Sequence, residues 1–214
     1  MEYSTEEEQI ARLKNWWSLY GNYIFYGLLV IFGCAYAYKT WLDRQDAILE
    51  KSSSLYTRAF EAFSDGNDAD FQAISGQLLS DYPDSVYTNF VRMLLAKDLL
   101  NNNRYSEAEN YLLQVIEKTK QKTLQDIATL RLARIYFSEG KFEEAKSTAV
   151  KLYKTDFEFF AHELNGDLYL HNNDYQNAKE EYKIALEKQR SKFPRANSII
   201  ENKLQFISKY IPKD

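Results

Sequence analysis

The sequence predicts an all-α protein: an N-terminal transmembrane helix, then a solenoid of helix pairs closed by a C-terminal capping helix. Three observations carry this. An apolar stretch, YGNYIFYGLLVIFGCAYAYKTW, occupies 20–41, with no charge between Lys14 and Lys39. Beyond Trp41 the helix formers Leu, Ala, Glu, Lys and Gln dominate, and apolar residues show no sustained alternation of the kind a sheet needs. Three phrases of like build, RYSEAE (104–109), KFEEAK (141–146) and DYQNAK (174–179), recur at the spacing of a helical repeat.

A leader covers 1–19 and the span follows. As a helix, 20–41 would be roughly 33 Å long at ~1.5 Å per residue, against a hydrocarbon core of ~30 Å. Aromatic rings mark both ends: Trp16, Trp17, Tyr20 and Tyr23 at one, Tyr36, Tyr38 and Trp41 at the other. Rings with an apolar body and a polar tip settle at headgroup level. Three other readings compete. A soluble core helix is rarely apolar all round. A cleaved signal peptide has a short basic leader, whereas MEYSTEEEQIARLK holds four Glu against two cations, and no A-x-A site follows. The sequence IFGC, ending at Cys34, loosely resembles a lipoprotein cleavage box, but apolar AYAY follows it instead of a polar tether. Cys34 reads as a small apolar residue inside a membrane helix, with lipidation as the alternative.

Composition bounds the partners. The net charge is −4; setting aside the three cations and four Glu up to Trp41 leaves 24 Lys+Arg and 27 Asp+Glu, thoroughly mixed. No nucleic-acid partner is expected, because one would need a basic face to displace counterions. The single cysteine lies in the span, so no intrachain disulfide is possible and cysteine usage leaves the compartment open. With three Pro and seven Gly, long disordered tracts are not expected.

Each repeated phrase holds an aromatic, two spacers and an alanine: Tyr105/Ala108, Phe142/Ala145 and Tyr175/Ala178, the alanines 37 and 33 residues apart. A small residue stands twelve positions before each alanine (Ala96, Ala133, Gly166), and Leu99, Tyr136 and Tyr169 follow that small residue by three. Four and seven after the alanine come Leu112/Val115, Ala149/Leu152 and Tyr182/Ala185. Small residues let antiparallel helices approach closely, and larger ones fill the space beside them. Between the paired helices lie NNN (101–103), EGK (139–141) and NND (172–174); Asn and Gly tolerate the left-handed conformation that closes a helix.

This pattern resembles the tetratricopeptide repeat family, whose unit is ~34 residues. The resemblance implies a repeat domain over 42–214 with units at 89–122, 126–158 and 159–192, and a degenerate first unit at 47–83 ended by Pro83. A cap at 196–210, with Ile199, Ile200, Lys203, Leu204 and Ile207 near one face, would cover the last exposed core.

Little points to catalysis. His162 opens HELNG, but Gly166 stands where H-E-x-x-H needs its second histidine, so that zinc site is not formed. His162 and His171 are nine residues apart, which at ~100° each puts them on opposite helix faces. No G-x-S-x-G, phosphate-cradling glycine loop or cysteine nucleophile outside the span is present. The acidic pairs Glu143/Glu144 and Glu180/Glu181 read as solvated helix surface. No enzyme, metal or cofactor is expected.

What remains is binding on the concave side, which solenoids line with the first helix of each pair. Carried over residue by residue, the tetratricopeptide template puts in the groove Phe90, Met93, Lys97, Leu100 and Asn101; then Ile127, Leu130, Arg134 and Phe137; then Phe160, Glu163, Asp167, Leu170 and His171. Lys97 and Arg134 fall at matching places. The family's carboxylate clamp needs Lys and Asn where Met93, Lys97 and Leu130 stand here, so a segment held partly by apolar contacts is the expected ligand.

The opening EEEQIARLKNWWSLYGNY, the exit YKTWLDRQ and the repeats together are similar to the ancillary Sec-translocon subunit family, the YfgM-like proteins. That resemblance implies a single-pass bacterial inner-membrane protein with a cytoplasmic N-terminus and a periplasmic repeat domain. The implied partners are membrane lipid, Sec translocon subunits and a membrane-anchored periplasmic chaperone of the prolyl-isomerase type. The role would be to help pass emerging polypeptides to folding factors. A scaffold for another cell-envelope or division complex is the alternative. Flanking charge leaves orientation open: Arg12 and Lys14 precede the span, and Lys39, Arg44 and Lys51 stand on its exit side.

Overall fold

A computed structural model describes residues 6–194 and 199–210. Positions 1–5 of the expected leader and 196–198 of the expected cap lie outside these residues. The described chain is helical without strands: α1 (Glu6–Ser64), α2 (Asp68–Asp81), α3 (Val86–Asn101), α4 (Tyr105–Lys118), α5 (Lys122–Ser138), α6 (Phe142–Ala149, continued by a 3-10 turn Val150–Leu152), α7 (Glu158–His171), α8 (Tyr175–Lys192) and α9 (Ile199–Ile207).

Two compact units divide between Lys51 and Ser52. In the first, α1 contains the whole stretch 20–41, and it is the one helix among the described residues long and apolar enough to cross a membrane. Only 6% of its most apolar window is buried, which argues against a helix sheltered in a soluble core. The helix that holds this stretch runs on past Trp41 to Ser64. The reason is local: 42–64 contains neither Gly nor Pro, so nothing stops the helix.

The second unit is a series of helix pairs whose turns are built alike. Gly66, Asn103, Gly140 and Asn173 all have positive φ, from 57° to 74°. After each, the next N–H donates back to the carbonyl five residues earlier: Asn67 to Ala62 (2.9 Å), Arg104 to Leu99 (2.8 Å), Lys141 to Tyr136 (2.9 Å) and Asp174 to Tyr169 (2.9 Å). The positive-φ residue donates in turn to Phe63, Leu100, Phe137 and Leu170. This Schellman closure satisfies carbonyls that a helix end leaves free. It occurs at 64–67 as well, so the end of α1 and α2 form a pair of the same construction as the other three.

The repeat residues form the packing. Ala108, Leu112, Val115, Ala145, Ala149, Leu152, Ala178, Tyr182 and Ala185 are all buried. Ala96, Ala133 and Gly166 are buried opposite them. One joint is polar. Arg92, almost wholly buried in α3, donates to Asn89 Oδ1 (2.8 Å) and to the Pro83 carbonyl (3.4 Å), and Thr88 Oγ1 donates to the Tyr82 carbonyl (2.5 Å). The bonds to Pro83 and Tyr82 tie α3 to the turn that follows α2. At the far end, Ile200 and Ile207 of α9 close over Ala178, Tyr182 and Ala185 of α8, so the last apolar face is covered.

Candidate functional site

Charged side chains of α3, α5 and α9 reach across to neighbouring helices. Lys97 of α3 stands over the Phe63 ring at the end of α1, 5.3 Å from its centroid. Arg134 of α5 stands over Phe160 of α7 at 5.2 Å and reaches Glu163 at 3.6 Å. Lys203 of α9 donates to Glu163 (2.8 Å) and to both oxygens of Asp167 (2.7 and 2.8 Å) on α7. Tyr182 completes that knot by donating to Asp167 at 2.6 Å, and burial together with this bond drives its phenol pKa far up.

Between α3, α4 and α5 opens a hollow of ≈ 430 Å³. Its apolar lining comes from Met93, Ala96 and Leu100 of α3, Tyr105 and Leu112 of α4, and Ile135 of α5. Three cations share it: Lys97, Arg131 and Arg134. The helical spacing explains the grouping, since Met93, Lys97 and Leu100 follow i, i+4, i+7 on α3, and Arg131, Arg134 and Ser138 follow i, i+3, i+7 on α5. Arg131 has no ion-pair partner among the described residues. Burial and the charge of Arg134 both push its pKa down, while Tyr56 opposes them.

The expected groove residues therefore divide. Met93, Lys97 and Arg134 come together at the hollow. Glu163 and Asp167 are drawn instead into the Lys203 knot. Leu130 is buried, packed with Ala133 and Leu164. Phe90 joins Tyr56 and Tyr87 in an aromatic group. Phe137 and His171 both lean on Phe142, and Leu170 packs toward the α8–α9 core. Asn101 is exposed at the end of α3. Arg131, Tyr105 and Ser138, which the template did not select, line the hollow. The i, i+3 relation of Arg131 to Arg134 was the available signal.

Away from the hollow, several partly buried titratable groups pair with one another between helices. His162 is half-buried, with Nδ1 2.7 Å from Glu181 and its ring stacked on Tyr153, which accepts a 2.7 Å bond from Asn165. Glu181 is thus not solvated surface as the sequence suggested: an internal histidine holds it. Tyr136 donates to Glu109 at 2.5 Å, and burial and that bond push its pKa up to about 12. No group of three or more His, Cys, Asp or Glu able to hold a metal ion occurs among the described residues.

Taken together, this is a helical-repeat interaction protein carrying one apolar helix of membrane-spanning length. The family model for the tetratricopeptide repeat-like domain matches residues 14–209, and the chain belongs to that family, a protein-interaction fold rather than an enzyme. Its curated relatives are similar along nearly their whole length. A protein of Haemophilus influenzae is 26% identical over 186 residues, covering 86% of this chain and 91% of the relative. One of Aggregatibacter actinomycetemcomitans is 24% identical over 188 residues (87% and 92%), and one of Escherichia coli 22% over 177 residues (83% and 85%). All three are named ancillary SecYEG translocon subunit. The family resemblance drawn from leader, span and repeats is to this same group.

Proposed function

We propose that this protein is a membrane-tethered interaction module of the Sec translocon. The observation that carries the reading is collinearity: the similarity to ancillary SecYEG translocon subunits covers 86% of the chain and 91% of the Haemophilus protein, too much to be repeat alone. The span anchors the chain in the bacterial inner membrane, the N-terminus is cytoplasmic, and the repeat domain works in the periplasm. There the inner face formed by the first helices, including Lys97 and Arg134, holds translocated polypeptides and passes them to a membrane-anchored chaperone of the prolyl-isomerase type. Weak contacts suffice for this task, because tethering raises the local concentration to the order of millimolar.

Co-purification in mild detergent tests the assignment. Translocon subunits should dominate the recovered partners; recovery of envelope-assembly or division factors in their place would favour the scaffold reading. Reversing both charges, Lys97→Glu and Arg134→Glu, should reduce partner cross-linking while the thermal transition moves little, because exposed charges of this kind are worth ~0–1 kcal/mol each to stability. Unchanged cross-linking would remove this face from the mechanism.

A further inference from the structure

The hollow between α3, α4 and α5 combines two properties that a packing defect does not. Its wall is built from apolar side chains, with Leu112 fully buried within it. Lys97, Arg131 and Arg134 line it too, and no carboxylate does. At ≈ 430 Å³ it falls within the ~300–1,000 Å³ typical of ligand pockets. Lys97 and Arg134 are each engaged, through a ring and through a ring plus a 3.6 Å carboxylate. Arg131 has no ion pair among the described residues, only the Tyr56 phenol favouring its charge, and it stands one helical turn from a second guanidinium. Two like charges this close on one face repel, and Glu163 answers Arg134 but not Arg131.

We infer that this hollow receives one large apolar side chain of a bound polypeptide whose flanking residues are Asp or Glu, their carboxylates meeting Arg131 and Arg134 on one helix and Lys97 on the other. The inference rests on the proposed reading of the inner face as a polypeptide-binding surface and specifies what that surface selects. Charge complementarity identifies the occupant. A guanidinium pair takes carboxylates by forked hydrogen bonds. The cations come from two helices, so they suit acidic residues flanking an anchor. A fatty acid carries one carboxylate at one end and would leave the others unanswered. The cost of placing charge beside an apolar wall is repaid only when both halves of the ligand are present, and this makes the site selective.

The test uses the full chain in nanodiscs of neutral phosphatidylcholine, which keeps detergent out of the hollow. Four labelled synthetic peptides are titrated: a Trp flanked by Glu on both sides, the same with Gln, the same with Lys, and the Glu peptide with Ala for Trp. The Trp–Glu peptide should bind on the order of tenfold or more tighter than the Gln version, tighter still than the Lys version, and lose affinity as salt rises. Both the tryptophan and the charge should matter. In Arg131→Gln/Arg134→Gln, with an unchanged thermal transition, the Glu and Gln peptides should converge. Equal binding of the Glu, Gln and Lys peptides would overturn the charge selection while leaving polypeptide binding by this face intact. Binding of none of the peptides, with sodium oleate taken up in their place, would overturn this inference and the polypeptide reading together.

Discussion

Gly166 stands where a methyl group has no room: a Cβ there would lie 2.4 Å from Cε1 of Tyr182. The Gly166→Ala variant should therefore lose about 1–3 kcal/mol, the scale of overpacking, although alanine favours a helix by ~1 kcal/mol over glycine. Gly76, in α2, is the internal control, since a Cβ there meets nothing within 4 Å. Gly76→Ala should leave stability unchanged or raise it. Thermal unfolding of both variants decides the matter; equal shifts would mean that helix propensity and not the Tyr182 contact governs position 166. Tyr136 makes a prediction in pH. Its pKa is raised from 10.0 to about 12, so its protonated form is favoured in the folded state. That contribution is complete below the unfolded value of 10.0 and is lost as pH rises towards about 12. Over this window the melting temperature of the parent protein should fall more steeply than that of Tyr136→Phe.

At the scale of elements, three of the four Schellman turns, those at 101–104, 139–141 and 172–174, were legible in the sequence because their chemistry is local; the fourth, at Gly66, emerged only with the structure. An Asn or Gly at the right offset is enough to close a helix. The knot that fixes α9 was not legible, because Lys203 lies 40 residues from Glu163 and 36 from Asp167. Lys203→Met would strip both carboxylates of their shared cation. The cost should be about 1–2 kcal/mol, below that of a fully buried pair, since these groups keep some access to water. In a nearest-neighbour array the loss should stay local. Hydrogen exchange should quicken in α9 and the end of α8, with α3 and α4 unchanged. The α5–α6 joint gives the complementary case. Ala145 is fully buried, and Ala145→Trp should wedge the pair apart at a cost on the order of 1–3 kcal/mol or more. An unaltered melting temperature would contradict the packing described for that repeat.

For the whole molecule, the proposed topology can be read with the single cysteine removed. In a Cys34→Ser background, a cysteine at exposed Ser191 should react in intact cells with a thiol reagent that cannot cross the inner membrane. Labelling only after lysis would put the repeat domain on the other side. The sequence by itself determined the apolar stretch, the helical class, the small residues that let helices approach, and the turns, all features that depend on neighbours within a few residues. Tertiary structure alone decided which side chains of the inner face are available. Leu130 and Arg131 are adjacent, and the ~100° turn between them means that packing rotation chooses which faces the core. Packing buried Leu130 and left Arg131 beside the hollow. It likewise bound Glu163 and Asp167 to α9 and left Arg131 with no ion-pair partner among the described residues. Sequence patterns mark helices and turns, but a cation's freedom depends on which carboxylate from a distant helix happens to reach it.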